Sequence, residues 1–239
     1  MKKWNRLGVA AVAVAACLAG VSAASAAPLI LNGGFEAGFA NWTTADQLGG
    51  DGTFSVQSGT ASPVNGDPVP APPEGVNAAM TDAGAPGSHV LYQDFVVNTT
   101  SGLLTFDLFI ANRGDRFENP AVGLDFSTPA INQQVRIDIM LSTADPFSVA
   151  PSDVLLNLYQ SQPGDPLVAG GYTPFSFDIS ALLAANLSQT LRFRVAEVDN
   201  LAPLQVGLDN VDLDAVPEPA SLLLMGAGFA ALVARRRCA

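Results

Sequence analysis

Between residues 28 and 215 the chain has no cysteine and no lysine. Its two cysteines, Cys17 and Cys238, lie near the ends of a 239-residue sequence. Thiol chemistry and disulfides are therefore excluded from this body, which must be held by packing, with or without the aid of a metal. The body carries 21 Asp and Glu against five arginines (Arg113, Arg116, Arg136, Arg192, Arg194), a net charge of −16. Such a surface repels nucleic acid and anionic lipid, so no nucleic-acid partner is expected. Histidine is nearly absent as well. His89 stands alone, and no Gly-x-Ser-x-Gly elbow accompanies it. A Ser-His-Asp triad and histidine-rich zinc catalysis are thus unsupported. A two-carboxylate glycosidase remains open by composition, since acids are abundant and only geometry selects a pair.

The two ends differ from the body. Lys2, Lys3 and Arg6 precede an apolar run from Leu7 to Val21, and Ala24-Ser25-Ala26 offers a small-x-small cleavage site. Residues 1–26 therefore read as a secretory signal peptide rather than an anchor. Val14-Ala15-Ala16-Cys17 loosely resembles a lipobox, but the apolar run continues beyond it to a better cleavage site. At the other end, Val216-Pro217-Glu218-Pro219 must stop any strand, because proline cannot donate to a ladder. Ala220 to Ala234 then supplies an uncharged apolar stretch, followed by Arg235-Arg236-Arg237. As a helix this stretch is about 22 Å long, against roughly 30 Å of hydrocarbon. It predicts a short transmembrane helix with its arginines on the cytoplasmic side.

Pro217-Glu218-Pro219, the apolar stretch and the arginine cluster, in that order, resemble the PEP-CTERM sorting signal. The resemblance implies that residues 216–239 are recognised by an exosortase, that the chain sits transiently in the inner membrane through this helix, and that the tail is removed. It also implies delivery to the cell surface or exopolysaccharide matrix of a Gram-negative bacterium.

Residues 28–215 are long enough for one domain with a sizeable core. Short runs of β-formers alternate with Gly, Pro, Asn and Asp clusters. Strands are predicted near Phe54–Gln57, Val90–Val97, Leu103–Ala111, Gln134–Leu141, Val154–Gln160, Tyr172–Ile179, Thr190–Val198 and Leu204–Leu213. In Leu191-Arg192-Phe193-Arg194-Val195 the apolar side chains face one way and the arginines the other, and Val135-Arg136-Ile137-Asp138-Ile139 repeats the pattern. Alternation of this kind predicts one buried and one wet face. The predicted fold is all-β, an antiparallel β-sandwich of jelly-roll type. Ser180 to Leu187 predicts one or two helical turns with Ser180 as cap. Pro63 to Gly75 reads as an extended loop, and Arg113-Gly114-Asp115 as an acidic turn.

Leu31-Asn32-Gly33-Gly34-Phe35-Glu36, with Trp42 soon after, opens the body, and Val206-Gly207-Leu208-Asp209-Asn210-Val211-Asp212-Leu213 closes it. The pairing resembles the galactose-binding-like jelly rolls, which include carbohydrate-binding modules. In those families the termini meet and often share a structural Ca²⁺. The resemblance implies Glu36 and Asp209 as its side-chain ligands, with carbonyls near Asn32 or Gly34 completing an oxygen shell. The alternative is a Gly33-Gly34 turn with Glu36 a solvated edge residue. Asn210 stands where many relatives carry a second Asp. Trp42 and Tyr92 are the candidate sugar-stacking aromatics, with a core anchor as the alternative for Trp42. The leading expectation is a non-enzymatic module binding extracellular polysaccharide. The rivals are a structural coat protein without a small-ligand site and a secreted glycoside-active enzyme.

Overall fold

The computed structural model describes residues 28–215. The expected signal peptide and sorting tail lie outside them. The strands are β1 (Thr43–Asp46), β2 (Thr53–Ser58), β3 (Asn77–Asp82), β4 (Gly87–Val96), β5 (Gly102–Asn112), β6 (Gln133–Leu141), β7 (Val154–Gln160), β8 (Thr173–Asp178), β9 (Thr190–Asp199) and β10 (Leu204–Ala215). A single described helix, α1 (Ser180–Ala185), joins β8 to β9. The strands form two five-stranded sheets, β1-β4-β9-β6-β7 and β2-β3-β10-β5-β8, with every named pairing antiparallel. This is the all-β sandwich that the alternating sequence predicts, and the chain crosses repeatedly between its layers.

The core lies between the sheets. Leu91 and Phe95 of β4, Phe193 and Val195 of β9, and Ile137 and Ile139 of β6 pack from one side. Leu104, Phe106 and Leu108 of β5 and Val206, Leu208 and Leu213 of β10 pack from the other. Period-2 spacing places each set on one face, and burying it is the main stabilising term.

All eight predicted strands are present, and two further ones are not legible as such. β1 (Thr-Thr-Ala-Asp) is mostly exposed and has no apolar alternation. β3 (Asn-Ala-Ala-Met-Thr-Asp) is covered on both faces, so its pattern is continuous rather than alternating. Ser180 is not the helix cap. Ile179 holds the cap position without a side-chain bond, while Ser180 Oγ accepts the Gly102 N–H at 3.1 Å.

The expected wet face of the arginine strands is in fact covered. Arg192 and Arg194 are 6% and 0% exposed, because the 142–148 segment lies across them. Arg194 donates to the carbonyls of Pro146 (2.7 Å) and Ser148 (2.6 Å), and Arg192 to those of Ser142 (2.8 Å) and Ala144 (3.1 Å). Asp138, also buried, takes a bidentate pair from Arg136 at 2.8 Å and a further bond from Arg194. Burial works to raise the Asp138 pKa, but Arg136 and Arg194 outweigh it and hold the carboxyl below its ordinary value. Alternation correctly assigned the arginines to one face, but it carries no information about a loop folding over that face.

His89 is also buried at 1% exposure, with Nδ1 2.8 Å from Asp46 Oδ1. Its cross-strand neighbour Glu197 is buried too. Burial, with Asp199 and Asp46 nearby, drives the Glu197 pKa well above normal.

Candidate functional site

A two-sheet sandwich has two lateral seams where the edge strands of opposite sheets approach. In this protein the seams are treated differently. Along the first, residues 29–42 bridge the layers. The Leu31 N–H donates to Gln93 Oε1 of β4 (2.7 Å), and Gln93 returns a bond to the Leu31 carbonyl (2.8 Å). The Val211 N–H of β10 donates to the Gly33 carbonyl (3.1 Å). A Cβ at Gly33 would stand only 1.8 Å from the Val211 carbonyl oxygen, so only glycine allows this approach. Phe35 and Trp42 then fill the seam, with centroids 5.0 Å apart and Trp42 meeting Phe193 edge-on at 6.0 Å.

Trp42 is 7% exposed, and its indole N–H donates to the carbonyls of Leu31 and Asn32. It is a core anchor. Its burial favours the core-anchor alternative for Trp42 over sugar stacking. Tyr92 is half-buried on the outer face of its sheet. The Arg192 guanidinium lies 3.9 Å from its ring centroid, and Ala45, Phe126 and Phe147 belong to the same small apolar cluster. One face of that ring is thus occupied by the protein's own cation.

Glu36 and Asp209 both bind the backbone where the chain enters β3, Asp209 at Glu74 and Glu36 at Val76 and Asn77. Glu36 Oε1 accepts the N–H groups of Val76 and Asn77 at 2.8 Å each. Asp209, fully buried, accepts the N–H of Glu74 at 3.2 Å and that of Asn210 at 2.7 Å. A third carboxylate, Glu74, was not anticipated. A Cβ at Gly34 would lie 3.0 Å from Glu74 Oε2 and 3.9 Å from Asp209 Oδ1. Burial, then the charges of Glu74 and Asp107, push the Asp209 pKa up to about 7. The charge thus suits a hard cation. The side-chain geometry is sparser: among the described residues no group of three or more His, Cys, Asp or Glu could hold a metal ion.

The second seam is open. Here β7 and β8 leave a cleft of about 460 Å³. Tyr159 of β7 meets Phe175 of β8 edge-to-face, with centroids 5.6 Å apart. Leu108 and Ile110 of β5 and Thr173 of β8 contribute further wall, and Asp165 to Gly170 lines the remaining side. That segment is tied back to β5 by Asn112 N–H to Leu167 O (2.7 Å) and Ala169 N–H to Ile110 O (2.9 Å). Phe175 is held in turn by stacking on Phe106 at 5.3 Å and by Phe177, whose plane is 3° from its own. Burial and the Asp165 carboxylate push the Tyr159 phenol up to about 12, so its hydroxyl remains a donor. The cleft therefore offers two fixed aromatic rings, an apolar floor, a hydroxyl on Thr173 and a carboxylate. Tyr159, Phe175 and Asp165 were not singled out as site residues, because the sequence shows only ordinary strand aromatics and an acidic loop.

Comparison with known proteins bears on the C-terminal end and on the fold. Residues 215–237 match the model of the PEP-CTERM protein-sorting motif. No curated protein matches the chain. Similar solved structures include TmCBM61, determined with β-1,4-galactotriose, at 11% identity and TM-score 0.47, covering 80% of this chain and 100% of that one. The K3 cleaved adhesin domain of Lys-gingipain from Porphyromonas gingivalis W83 aligns at 15% identity and TM-score 0.47, covering 78% and 98%. A cyclase from Fischerella sp. TAU, solved with 4-(1H-indol-3-yl)butan-2-one, aligns at 19% identity and TM-score 0.46, covering 81% and 100%. At such identities and scores these likenesses transfer no ligand and no activity to this chain.

Proposed function

We propose that the protein is exported by its N-terminal signal, sorted by an exosortase through residues 216–239, and retained at the cell surface or in the exopolysaccharide matrix. In this reading residues 28–215 form one non-catalytic carbohydrate-binding module, and the cleft between β7 and β8 is its binding site. The observation that carries it is the pairing of Tyr159 and Phe175 in a preformed cleft that also holds a carboxylate and a hydroxyl. Sugar rings present apolar C–H faces and peripheral hydroxyls, which suit aromatic walls with a few placed polar groups. A volume near 460 Å³ falls in the range of small-ligand sites, roughly 300–1,000 Å³. The non-catalytic reading draws on the burial of His89, which removes the sole histidine from any substrate in solvent. A structural Ca²⁺ shared by Glu36 and Asp209 belongs to the same proposal.

Affinity electrophoresis through polysaccharide from the cell's own matrix tests the binding role. Retention of the wild type, lost in Tyr159→Ala, is expected; migration unaffected by any matrix polysaccharide would leave only a structural-coat role. Release of reducing ends from the polysaccharide would replace the binding reading with a catalytic one. For sorting, deletion of residues 216–239 should release the tagged protein to the periplasm or medium. Continued cofractionation with membrane would show that another element retains it.

A further inference from the structure

We propose that the β7–β8 cleft selects a polysaccharide bearing free, protonated amino groups, such as a chain of hexosamines, over neutral and acidic chains. The inference rests on the reading of that cleft as a carbohydrate site and adds the chemistry of the sugar.

Its first support is where the positive charge has gone. Each of the five arginines of the body is bound to a carboxylate. Arg113 pairs with Asp67 (3.1 Å), Arg116 with Asp115 (3.0 Å), Arg136 with Asp138 (2.8 Å) and Arg192 with Asp94 (2.7 Å), while Arg194 shares Asp138. With no lysine between residues 28 and 215, the described body holds no uncommitted side-chain cation with which to grip a uronate or sulfate. Its field, from a net charge of −16, raises the local concentration of cations and lowers that of anions.

The second support is local. The formally charged side chain lining the cleft is a carboxylate, Asp165. It is half-buried and held by a bond from the Gln162 N–H to Oδ2 at 2.8 Å, so it is positioned rather than free-swinging. The cleft also presents Tyr159 and Phe175, and aromatic faces attract an ammonium group electrostatically as well as packing on the sugar ring. A protonated amine on the ring edge would meet Asp165 while the ring packs on the aromatics. An N-acetyl group loses that charge, and a uronate reverses it.

The test is a titration of the full-length protein in mild detergent and mildly acidic buffer. The probes are β-1,4-glucosamine oligomers, the same oligomers N-acetylated, and galacturonate oligomers. Wild type, Asp165→Asn and Tyr159→Ala are compared. The asparagine retains an oxygen to accept the Gln162 N–H, and matching melting curves would confirm that the fold is kept. The expected result is a preference of roughly fivefold for the free amine over the N-acetylated oligomer, the upper end for a partly exposed ion pair. Salt should erode that preference, Asp165→Asn should abolish it while sparing the N-acetylated oligomer, and Tyr159→Ala should weaken both. Equal binding of free and acetylated oligomers by wild type, lost in Tyr159→Ala, would overturn the amine selection and leave the cleft as a carbohydrate site. An amine preference unchanged in both variants would place the attraction elsewhere on the acidic surface and overturn the proposal. Absence of binding to all three oligomers by wild type would count against the amine selection, and the matrix-polysaccharide assay would then decide the cleft reading separately.

Discussion

The two seams of this sandwich are built from similar materials and end in opposite states. Both have an aromatic pair at the boundary of the core: Phe35 with Trp42 on one side, Tyr159 with Phe175 on the other. The first seam is crossed by residues 29–42, whose backbone bonds to both sheets, and Trp42 is left 7% exposed. The second receives only the 165–170 segment, which bonds back to β5 of its own sheet, and a cleft of about 460 Å³ remains. An aromatic residue at a sheet margin is therefore neither core nor site by nature. The outcome depends on whether a piece of chain is available to cover it.

This contrast can be broken at its strongest point first. Trp42→Ala should cost about 3–5 kcal/mol, the usual price of deleting a buried large aromatic, measured as a lower denaturant midpoint. A cost under about 1 kcal/mol would mean that the first seam is not sealed as described.

The calcium proposal also concerns the sealed seam, since Glu36 and Asp209 both bind the segment before β3. A cation bound only to the folded state adds about 2.7 kcal/mol at a hundredfold excess over Kd. Chelation should therefore lower the melting temperature of wild type but not of Glu36→Gln or Asp209→Asn. Identical melting with calcium and with chelator would remove the metal from the account.

A pH series on chelated protein sharpens the same region. Asp209 is raised to about 7 and Asp199 to about 6, each mainly by burial. The folded state then holds protons that the unfolded chain, with carboxyls near 3.8, has already released. This contribution to stability is present below about pH 4 and is lost as pH rises through about 6 to 7. Asp209→Asn should remove the upper part of the decline. In saturating calcium the dependence should shrink, because the cation favours the ionised carboxylate. A decline of equal size in Asp209→Asn would assign it to Asp199 and Glu197 instead.

The smallest expected effect on stability belongs to the open seam. Tyr159→Ala should cost about 1 kcal/mol, on the scale of the lost aromatic pair with Phe175, while removing retention on polysaccharide. A loss as large as that of Trp42→Ala would show that both seams are structural and that the cleft is incidental.

What the sequence determined by itself is what lies within a few residues along the chain. Runs of β-formers between turn-rich clusters located eight of the ten strands, and in several of them period-2 alternation sorted the side chains into two faces, since side chains on a strand must point to alternate faces. These signals missed β1, too short and polar to show a pattern, and β3, where burial on both faces erases one. The sorting motif at 215–237 is likewise local, being three features in a fixed order. Tertiary structure alone decided what covers each face. It laid the 142–148 segment over Arg192 and Arg194, packed Leu31, Asn32, Phe35 and Phe193 against Trp42, and left Tyr159 and Phe175 half-buried beside Asp165. It also brought Glu74 to Gly34 and Asp209, 135 residues away from the latter along the chain. Burial is a property of what arrives from elsewhere, and local periodicity holds no record of which distant segment that will be.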